Sequence, residues 1–265
     1  SYSLAIPSTM GALWWTESKR EWDWLSENEL FFLDVFDPRF PGELKLLDRG
    51  PTLLTSIGDF SKLTGRTISV VGTRHPSKDA IDWLESEFSS FLSAKKDVVV
   101  VSGGARGIDQ KSHHLAIRGE RRTVCFLPSG LGQLYPEELF RLKQPLLDTG
   151  GVMVSTLSPF ARMQKRFFLE RNRYIAALSP LLFLVEAKRR SGSLITARWA
   201  SLLDRTLAVL PCSPLGMGLG GLDLLTDGGA LLIRDAYDLS QAFESSWASG
   251  ASSATEKVKP NDQKN

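Results

Sequence analysis

The sequence predicts an α/β fold: one doubly wound, mostly parallel sheet with helices on both faces. From Arg66 onward, a short apolar run, a turn containing Gly or Ser, and a helix-like stretch follow one another repeatedly. Strands that alternate with helices are typical of a parallel sheet, and strands that are apolar throughout are typical of its buried centre. The predicted strands are 67–72, 97–102, 123–127, 152–155, 181–186, 206–210 and 230–233.

Between the first two strands, apolar residues recur at the spacing of one helix face. They are Ile81, Leu84, Phe88, Phe91 and Leu92. This spacing predicts an amphipathic helix that covers the sheet.

The chain divides into a core and two flanking segments. Residues 66–244 carry the strand and helix rhythm and form the predicted core. Residues 1–65 are predicted to be a lead-in segment packed on that core. Its polar first part contains four tryptophans, Trp14, Trp15, Trp22 and Trp24. Residues 245–265 are rich in Ser, Ala, Lys and Asp, which predicts a disordered tail.

The composition excludes several classes of protein. No apolar run approaches the length of a membrane helix, so we expect a cytoplasmic protein without a membrane partner. Cys125 and Cys212 follow apolar runs, which favours buried thiols over a disulfide or a metal site, and no cofactor is predicted. A formal charge of +2 does not indicate nucleic acid by itself, because binding to phosphate needs local clusters of cations.

A glycine-rich turn follows the strand 97–102 and opens a helix. It contains Gly103, Gly104, Arg106 and Gly107. Free N–H groups at a helix start, with no β-carbon in the way, bind phosphate or other anions. Glycines at such a turn can also serve packing alone, and this alternative stays open. Arg106 favours the anion site, because a guanidinium in the turn suits phosphate.

A second turn ends the first core strand and carries Arg74. Parallel strands place their carboxyl ends along one edge of the sheet, where ligands bind in open α/β folds. We therefore expect Arg74 to lie at the same edge as the glycine turn. A solvated surface arginine before Pro76 is the alternative.

A third block, residues 165–173, mixes cations with aromatic rings. It contains Lys165, Arg166, Phe167, Phe168, Arg171 and Arg173. Cations that meet phosphates and rings that stack on bases are typical of a groove for single-stranded nucleic acid. The alternative is that Phe167 and Phe168 face the core.

The fourth block follows the strand 181–186 and carries Lys188 before Ser191 and Gly192. Ser191 could simply cap the next helix. Four cationic strand ends at one edge of one sheet indicate a phosphate-rich ligand.

Four segments resemble the successive signature blocks of the DNA-processing protein A (DprA, also called Smf) family. They are VVGTR at 70–74, SGGARGID at 102–109, RNRYIA at 171–176 and SGSLITA at 191–197. The resemblance extends over about residues 34–236. It implies a Rossmann-like core that binds single-stranded DNA, dimerises, and helps to load the recombinase RecA during natural transformation.

The resemblance also implies which residues contact DNA. The family's DNA-contacting cations match Arg74, Lys165 and Lys188, while the turn 103–107 and Asn172 line the same pocket. The family's homodimer contact matches residues 222–233.

The sequence departs from the family pattern at several positions. Cys212 follows Pro211 where the family has Gly, Thr156 replaces a frequent Glu, and the family's Asn near Leu222 is missing. The winged-helix domain that often ends family members has no counterpart after residue 243, which predicts a minimal or truncated member.

Two enzymatic functions are alternatives to DNA binding. A nucleoside-monophosphate phosphoribohydrolase resembling the LOG family needs a carboxylate at the phosphate pocket, and only Asp109 and Glu186 lie near the glycine edge. Asp109 suits the first turn of a helix and Glu186 a strand end. A dinucleotide-binding oxidoreductase needs a Gly-x-Gly-x-x-Gly turn with an acidic residue roughly 20 positions further on, and the turn 103–107 does not fit this pattern. His113 is predicted to pack in the core, and the protein is predicted not to be an enzyme.

Overall fold

The structure is a computed structural model that describes residues 8–28, 30–213 and 218–256. These residues contain a sheet of nine strands. The strands are β1 (Phe31–Asp34), β2 (Leu53–Ile57), β3 (Arg66–Gly72), β4 (Val98–Gly103), β5 (Thr123–Phe126), β6 (Val152–Ser155), β7 (Leu181–Val185), β8 (Thr206–Val209) and β9 (Leu231–Leu232). Their order in the sheet is β1-β2-β6-β5-β4-β3-β7-β8-β9.

The helices are α1 (Ser8–Glu27), α2 (Gly42–Lys45), α3 (Lys78–Trp83), α4 (Ser89–Ala94), α5 (Ile108–Arg118), α6 (Leu139–Asp148), α7 (Lys165–Ala177), α8 (Gly192–Leu202), α9 (Leu219–Thr226) and α10 (Ala236–Glu256). A π-helical turn (Leu84–Phe88) joins α3 to α4, and a 3₁₀ turn spans Phe60–Lys62. The predicted amphipathic helix is thus one continuous helical stretch from α3 to α4. None of the helices in the described ranges is long and apolar enough to cross a membrane.

Helices cover both faces of the sheet, as predicted. Along β4, Val99 and Val101 pack in one core with α7 and α8. Val98 and Val100 point to the opposite face and pack with the stretch from α3 to α5 and with α10. Both sets are buried because successive side chains of a strand point to opposite faces. This burial explains why the strand reads as a continuous run of valines.

The seven predicted strands are confirmed, and they run parallel to one another. The chain builds β3 to β6 outward in one direction and then returns to place β7 on the other side of β3. The strand order therefore reverses between β3 and β7. A crevice forms at such a reversal, outside the carboxyl ends of the two strands, and it is where open α/β sheets bind ligands.

The first 65 residues contribute β1 and β2, which extend the sheet with antiparallel pairing next to β6. These two strands were not predicted. Phe31 and Phe32 remain about half exposed on the edge strand β1. The alternation of buried apolar and exposed polar residues that predicts a strand is therefore weak there.

At the other end of the chain, α10 continues to Glu256, so the predicted tail from residue 245 begins inside a helix. Ser246 is buried, and Trp247 donates from Nε1 to the Thr67 carbonyl oxygen at 3.2 Å. The small residues that suggested disorder form a helix here because this part of α10 packs on the core. Residues 257–265 lie outside the described residues, and the division into a core and two flanking segments stays a prediction.

Candidate nucleic-acid interface

A cavity of about 470 Å³ lies at the carboxyl ends of β3 and β7. The turn after β3, the first part of α7 and the turn between β7 and α8 form most of its wall. It therefore occupies the crevice where the strand order reverses. Of the ten residues predicted to bind DNA, six line it: Arg74, Lys165, Asn172, Lys188, Ser191 and Gly192.

Three cations from separate elements converge on this cavity. Arg74 follows β3, and its turn is tied to the end of β7 by a hydrogen bond from Thr73 N to the Glu186 carbonyl oxygen at 2.9 Å. Lys165 is the first residue of α7, and Lys188 lies in the turn after β7. In the described part of the chain, none of the three has a carboxylate within 4.0 Å. These three cations therefore give the cavity wall positive charges that no ion pair within the described residues neutralises.

Arg171 lies at the floor of the cavity with only 4% of its side chain exposed. One terminal nitrogen of Arg171 is 3.7 Å from Asp109 Oδ2. The Nε atom of Arg171 has no hydrogen-bond partner among the described residues. Burial lowers the pKa of the Arg171 guanidinium from its usual value. The sequence placed Arg171 in a cationic block but did not single it out, because its spacing from Lys165 does not reveal which cation is buried.

The Phe168 ring lies close to two guanidinium groups. Its centroid is 5.3 Å from Arg74 Cζ and 5.4 Å from Arg171 Cζ. The exposed Tyr135 meets the same ring edge-on at 6.2 Å. Phe168 is only partly buried and lines the cavity, so it does not belong to the core as the alternative interpretation held. A ring that lines a cationic cavity offers a surface on which a base can stack.

The glycine turn is built differently from the predicted phosphate cradle. A β-carbon at Gly103 would overlap the Arg171 guanidinium, and one at Gly104 would overlap the side chain of Leu139. Gly107 has a φ of +84° and brings the Thr73 carbonyl oxygen close enough to accept from Ile108 N at 3.1 Å. All three glycines are thus required for close packing, which was the alternative to a phosphate cradle. None of the three lines the cavity.

Arg106 also lies outside the cavity lining. Its guanidinium pairs with Glu138, immediately before α6. Of the residues in this turn, Ala105 lines the cavity.

Asn172, Ser191 and Gly192 hold the turn before α8 in place. Asn172 Nδ2 donates to the Gly192 carbonyl oxygen at 3.3 Å. Ser191 caps α8, since its Oγ accepts from Leu194 N at 3.4 Å, as one interpretation of the sequence expected. These contacts join α7 to α8 and fix the backbone beside Lys188.

Two buried ionisable groups lie behind the cavity. Burial raises the pKa of Asp109 from 3.8 to about 6, although Arg171 acts in the opposite direction. His113 lies between Thr123 Oγ1 at 2.6 Å and the Gly103 carbonyl oxygen at 2.9 Å. Burial lowers its pKa from 6.5 to about 4. The predicted packing role of His113 is confirmed.

The two carboxylates considered for catalysis both have structural partners. Glu186 accepts from Ser77 N at 2.7 Å through Oε2 and does not line the cavity. Asp109 reaches the floor of the cavity but faces Arg171. Each carboxylate therefore has a structural role in the folded protein. Cys125 and Cys212 are free thiols.

The fold and the cavity together define a Rossmann-like protein with a cationic ligand site at the point where the strand order reverses. The chain belongs to the DNA recombination-mediator protein A family, whose family model matches residues 31–244. The resemblance seen in the sequence is therefore confirmed. The family description is that of a recombination mediator and not of an enzyme, in agreement with the prediction of a non-catalytic protein.

Individual relatives support this assignment. The DNA processing protein DprA of Bacillus subtilis is 33% identical over 211 residues, which cover 78% of this chain and 69% of that protein. The X-ray structure of DprA from Streptococcus pneumoniae matches with a TM-score of 0.73 at 30% identity, covering 81% of this chain and 75% of the other. DNA processing protein A from Helicobacter pylori matches with a TM-score of 0.70 at 25% identity, covering 82% and 96%. That structure is described as giving insights into a unique single-stranded DNA binding mode.

Proposed function

We propose that this protein binds single-stranded DNA in the cavity at the reversal between β3 and β7. The observation that carries the proposal is the convergence of Arg74, Lys165 and Lys188, from three separate elements and without carboxylate partners, on one cavity. Phosphates of the strand bind these cations, and Ser191 and Gly192 contribute polar groups beside them. Such contacts fix a strand in position without reading its sequence.

The shape of the site favours a single strand over a duplex. A cavity of about 470 Å³ admits a nucleotide whose base is free to turn toward Phe168, whereas paired and stacked bases are not free to do so. The Helicobacter pylori relative, described by its single-stranded DNA binding mode, supports the same ligand.

Support for Gly103, Gly104, Arg106 and Gly107 as DNA contacts is weaker than for the three cations. We propose that the glycines act indirectly, because they let Arg171 and the turn after β3 approach α5. Arg106 is proposed only as a contact for DNA that extends beyond the cavity.

We further propose a role in natural transformation, with RecA loaded onto the bound strand by a homodimer. This part rests on family membership. Support for a dimer contact within residues 222–233 comes from β9, the last strand of the sheet, where Leu231 and Leu232 are 46% and 48% exposed. Apolar side chains exposed together on an edge strand are typical of a surface that another chain covers.

Fluorescence anisotropy tests the proposed ligand. A labelled single strand and the duplex of the same sequence are titrated with protein at one salt concentration, and we expect tighter binding of the single strand. Equal affinities contradict the proposal. Incubation of the same preparation with nucleoside monophosphates tests the phosphoribohydrolase alternative, and base release that Asp109→Ala abolishes would favour that alternative.

A further inference from the structure

A second groove lies at the same edge of the sheet, between α1 and the loop after β6. Its volume is about 700 Å³. Trp15, Arg20 and Trp24 line it from α1, and Phe160 lines it from the loop. The helix that forms one wall precedes residues 31–244, the part matched by the family model, so the family assignment does not explain it.

Trp24 and Glu21 fix α1 against the loop. Trp24 meets the Phe160 ring edge-on at 5.7 Å, and Glu21 accepts a hydrogen bond from Ser158 Oγ. Trp15 does not take part in this packing and is 72% exposed. An exposed tryptophan beside a groove contributes nothing to the packed interface, which makes it available to a ligand.

The groove combines this aromatic surface with a cation. Arg20 Cζ lies 4.3 Å from the centroid of the Phe160 ring, and in the described part of the chain Arg20 has no carboxylate within 4.0 Å. Lys19 is paired with Asp23 at 2.7 Å. Asp23 and Glu27 also line the groove and lie toward the carboxyl-terminal end of α1. The positive and aromatic part of the groove is therefore the part formed by Trp15, Arg20 and Phe160.

A chain segment with four intervening residues, and therefore five Cα–Cα steps, joins this groove to the cavity. Phe160 lines the groove and Lys165 lines the cavity, so their Cα atoms are at most about 18 Å apart. This distance corresponds to about five stacked nucleotides at roughly 3.4 Å each. Arg162 lies exposed between them, and the described residues place no carboxylate within 4.0 Å of it. The segment thus carries the Phe160 ring at one end and two cations, Arg162 and Lys165, between the groove and the cavity.

We propose that a single strand held in the cavity continues along residues 160–165 into the groove, where the exposed Trp15 stacks on a base and Arg20, held against the Phe160 ring, binds phosphate. The inference rests on the proposed function and adds a second contact surface to it. A ring and cations along one path suit a nucleic-acid strand, because every base has a face for stacking and every linkage a negative charge. A peptide without acidic residues would not need the exposed cations between the two sites.

The test compares short and long strands. Binding of labelled oligonucleotides of about 5 and about 20 nucleotides is measured for the wild type and for Trp15→Ala/Arg20→Ala, since grooves for single strands typically cover intermediate lengths. We expect the double variant to bind the long strand about tenfold more weakly, as stacking contributes strongly per base, and to bind the short strand like the wild type. The matched control is Trp22→Ala/Lys96→Ala, which removes an exposed tryptophan and an exposed cation outside both sites.

The outcomes separate the two proposals. If the wild type binds neither strand, the proposed function fails. If it binds both strands and the double variant keeps full affinity for the long one, the inference alone is overturned and the groove is left to a protein partner. As an independent measurement, a long strand carrying 5-iododeoxyuridine is crosslinked by light to the wild-type protein. Adducts on peptides containing Trp15 or Phe160 support the inference, and adducts confined to the cavity peptides contradict it.

Discussion

The guanidinium of Arg171 occupies the space that a β-carbon at Gly103 would need. This relationship links the glycine turn to the floor of the cavity, because Arg171 is held under Phe168 and beside Asp109 only if residue 103 has no side chain. The turn therefore serves the site through packing.

Replacement of Gly103 by alanine tests this relationship. We expect Gly103→Ala to lower the free energy of unfolding by about 1–3 kcal/mol, the usual cost of overpacking, and to weaken binding of single-stranded DNA as Arg171 is displaced. Urea denaturation and anisotropy measure the two effects. Gly42→Ala is the control, because a β-carbon there meets no atom within 4 Å. A Gly103→Ala variant with the stability and affinity of the wild type would refute the packing role.

Asp109 and His113 are expected to give opposite pH dependences of stability. The pKa of Asp109 is raised from 3.8 to about 6 in the folded protein, so its contribution to stability is present below pH 4 and is lost as the pH rises through 6. The pKa of His113 is lowered from 6.5 to about 4, so its contribution is present above pH 6.5 and is lost as the pH falls through 4. Each shift corresponds to about 3 kcal/mol at roughly 1.4 kcal/mol per pKa unit.

Single variants separate the two contributions between pH 4 and 6. Relative to the wild type, we expect Asp109→Asn to gain stability as the pH rises and His113→Gln to lose it. Urea denaturation across this pH range measures both slopes, and slopes are compared because either replacement also changes the buried contacts. Parallel pH profiles for the wild type and both variants would show that neither group titrates as the burial of the two side chains implies.

The exposed leucines of β9 predict a homodimer contact, and a charged residue introduced there is expected to disrupt it. We expect Leu232→Glu to convert a homodimer to a monomer, because a carboxylate would have to be buried at the contact without a partner. Light scattering at protein concentrations on the order of 10 μM measures the mass. Leu46→Glu is the control, since Leu46 is also exposed but lies outside residues 222–233. A wild-type protein that is monomeric at this concentration argues against the contact.

The sequence predicts the parallel sheet well because its strands are buried on both faces. The valines of β4 and the apolar run of β7 carry a signal that does not depend on their neighbours. The edge strand β1 gives no such signal, since Phe31 and Phe32 stay exposed and Leu33 is its one buried residue.

The convergence of the cations was predictable because parallel strands bring their carboxyl ends together. Arg74 and Lys188 follow neighbouring strands, and both line the cavity. The direction of each side chain was not predictable. Arg106 pairs with Glu138, which follows β5, and Arg171 turns inward toward Asp109. Sequence spacing does not encode either contact, because both depend on how α5, α6 and α7 pack.

The central claim is that Arg74, Lys165 and Lys188 bind the phosphates of a single strand. The most direct test measures affinity by anisotropy at several salt concentrations for the wild type and for the triple alanine variant. A triple variant of the exposed cations Lys45, Lys78 and Lys96 serves as the control for net charge. Thermal melts show whether each variant is folded, and exposed cations contribute little to stability. If the three residues contact phosphate, their removal should abolish binding at physiological salt and reduce the slope of log affinity against log salt by about 2, at roughly 0.7 per contact. A folded triple variant with the affinity and salt dependence of the wild type would contradict the account.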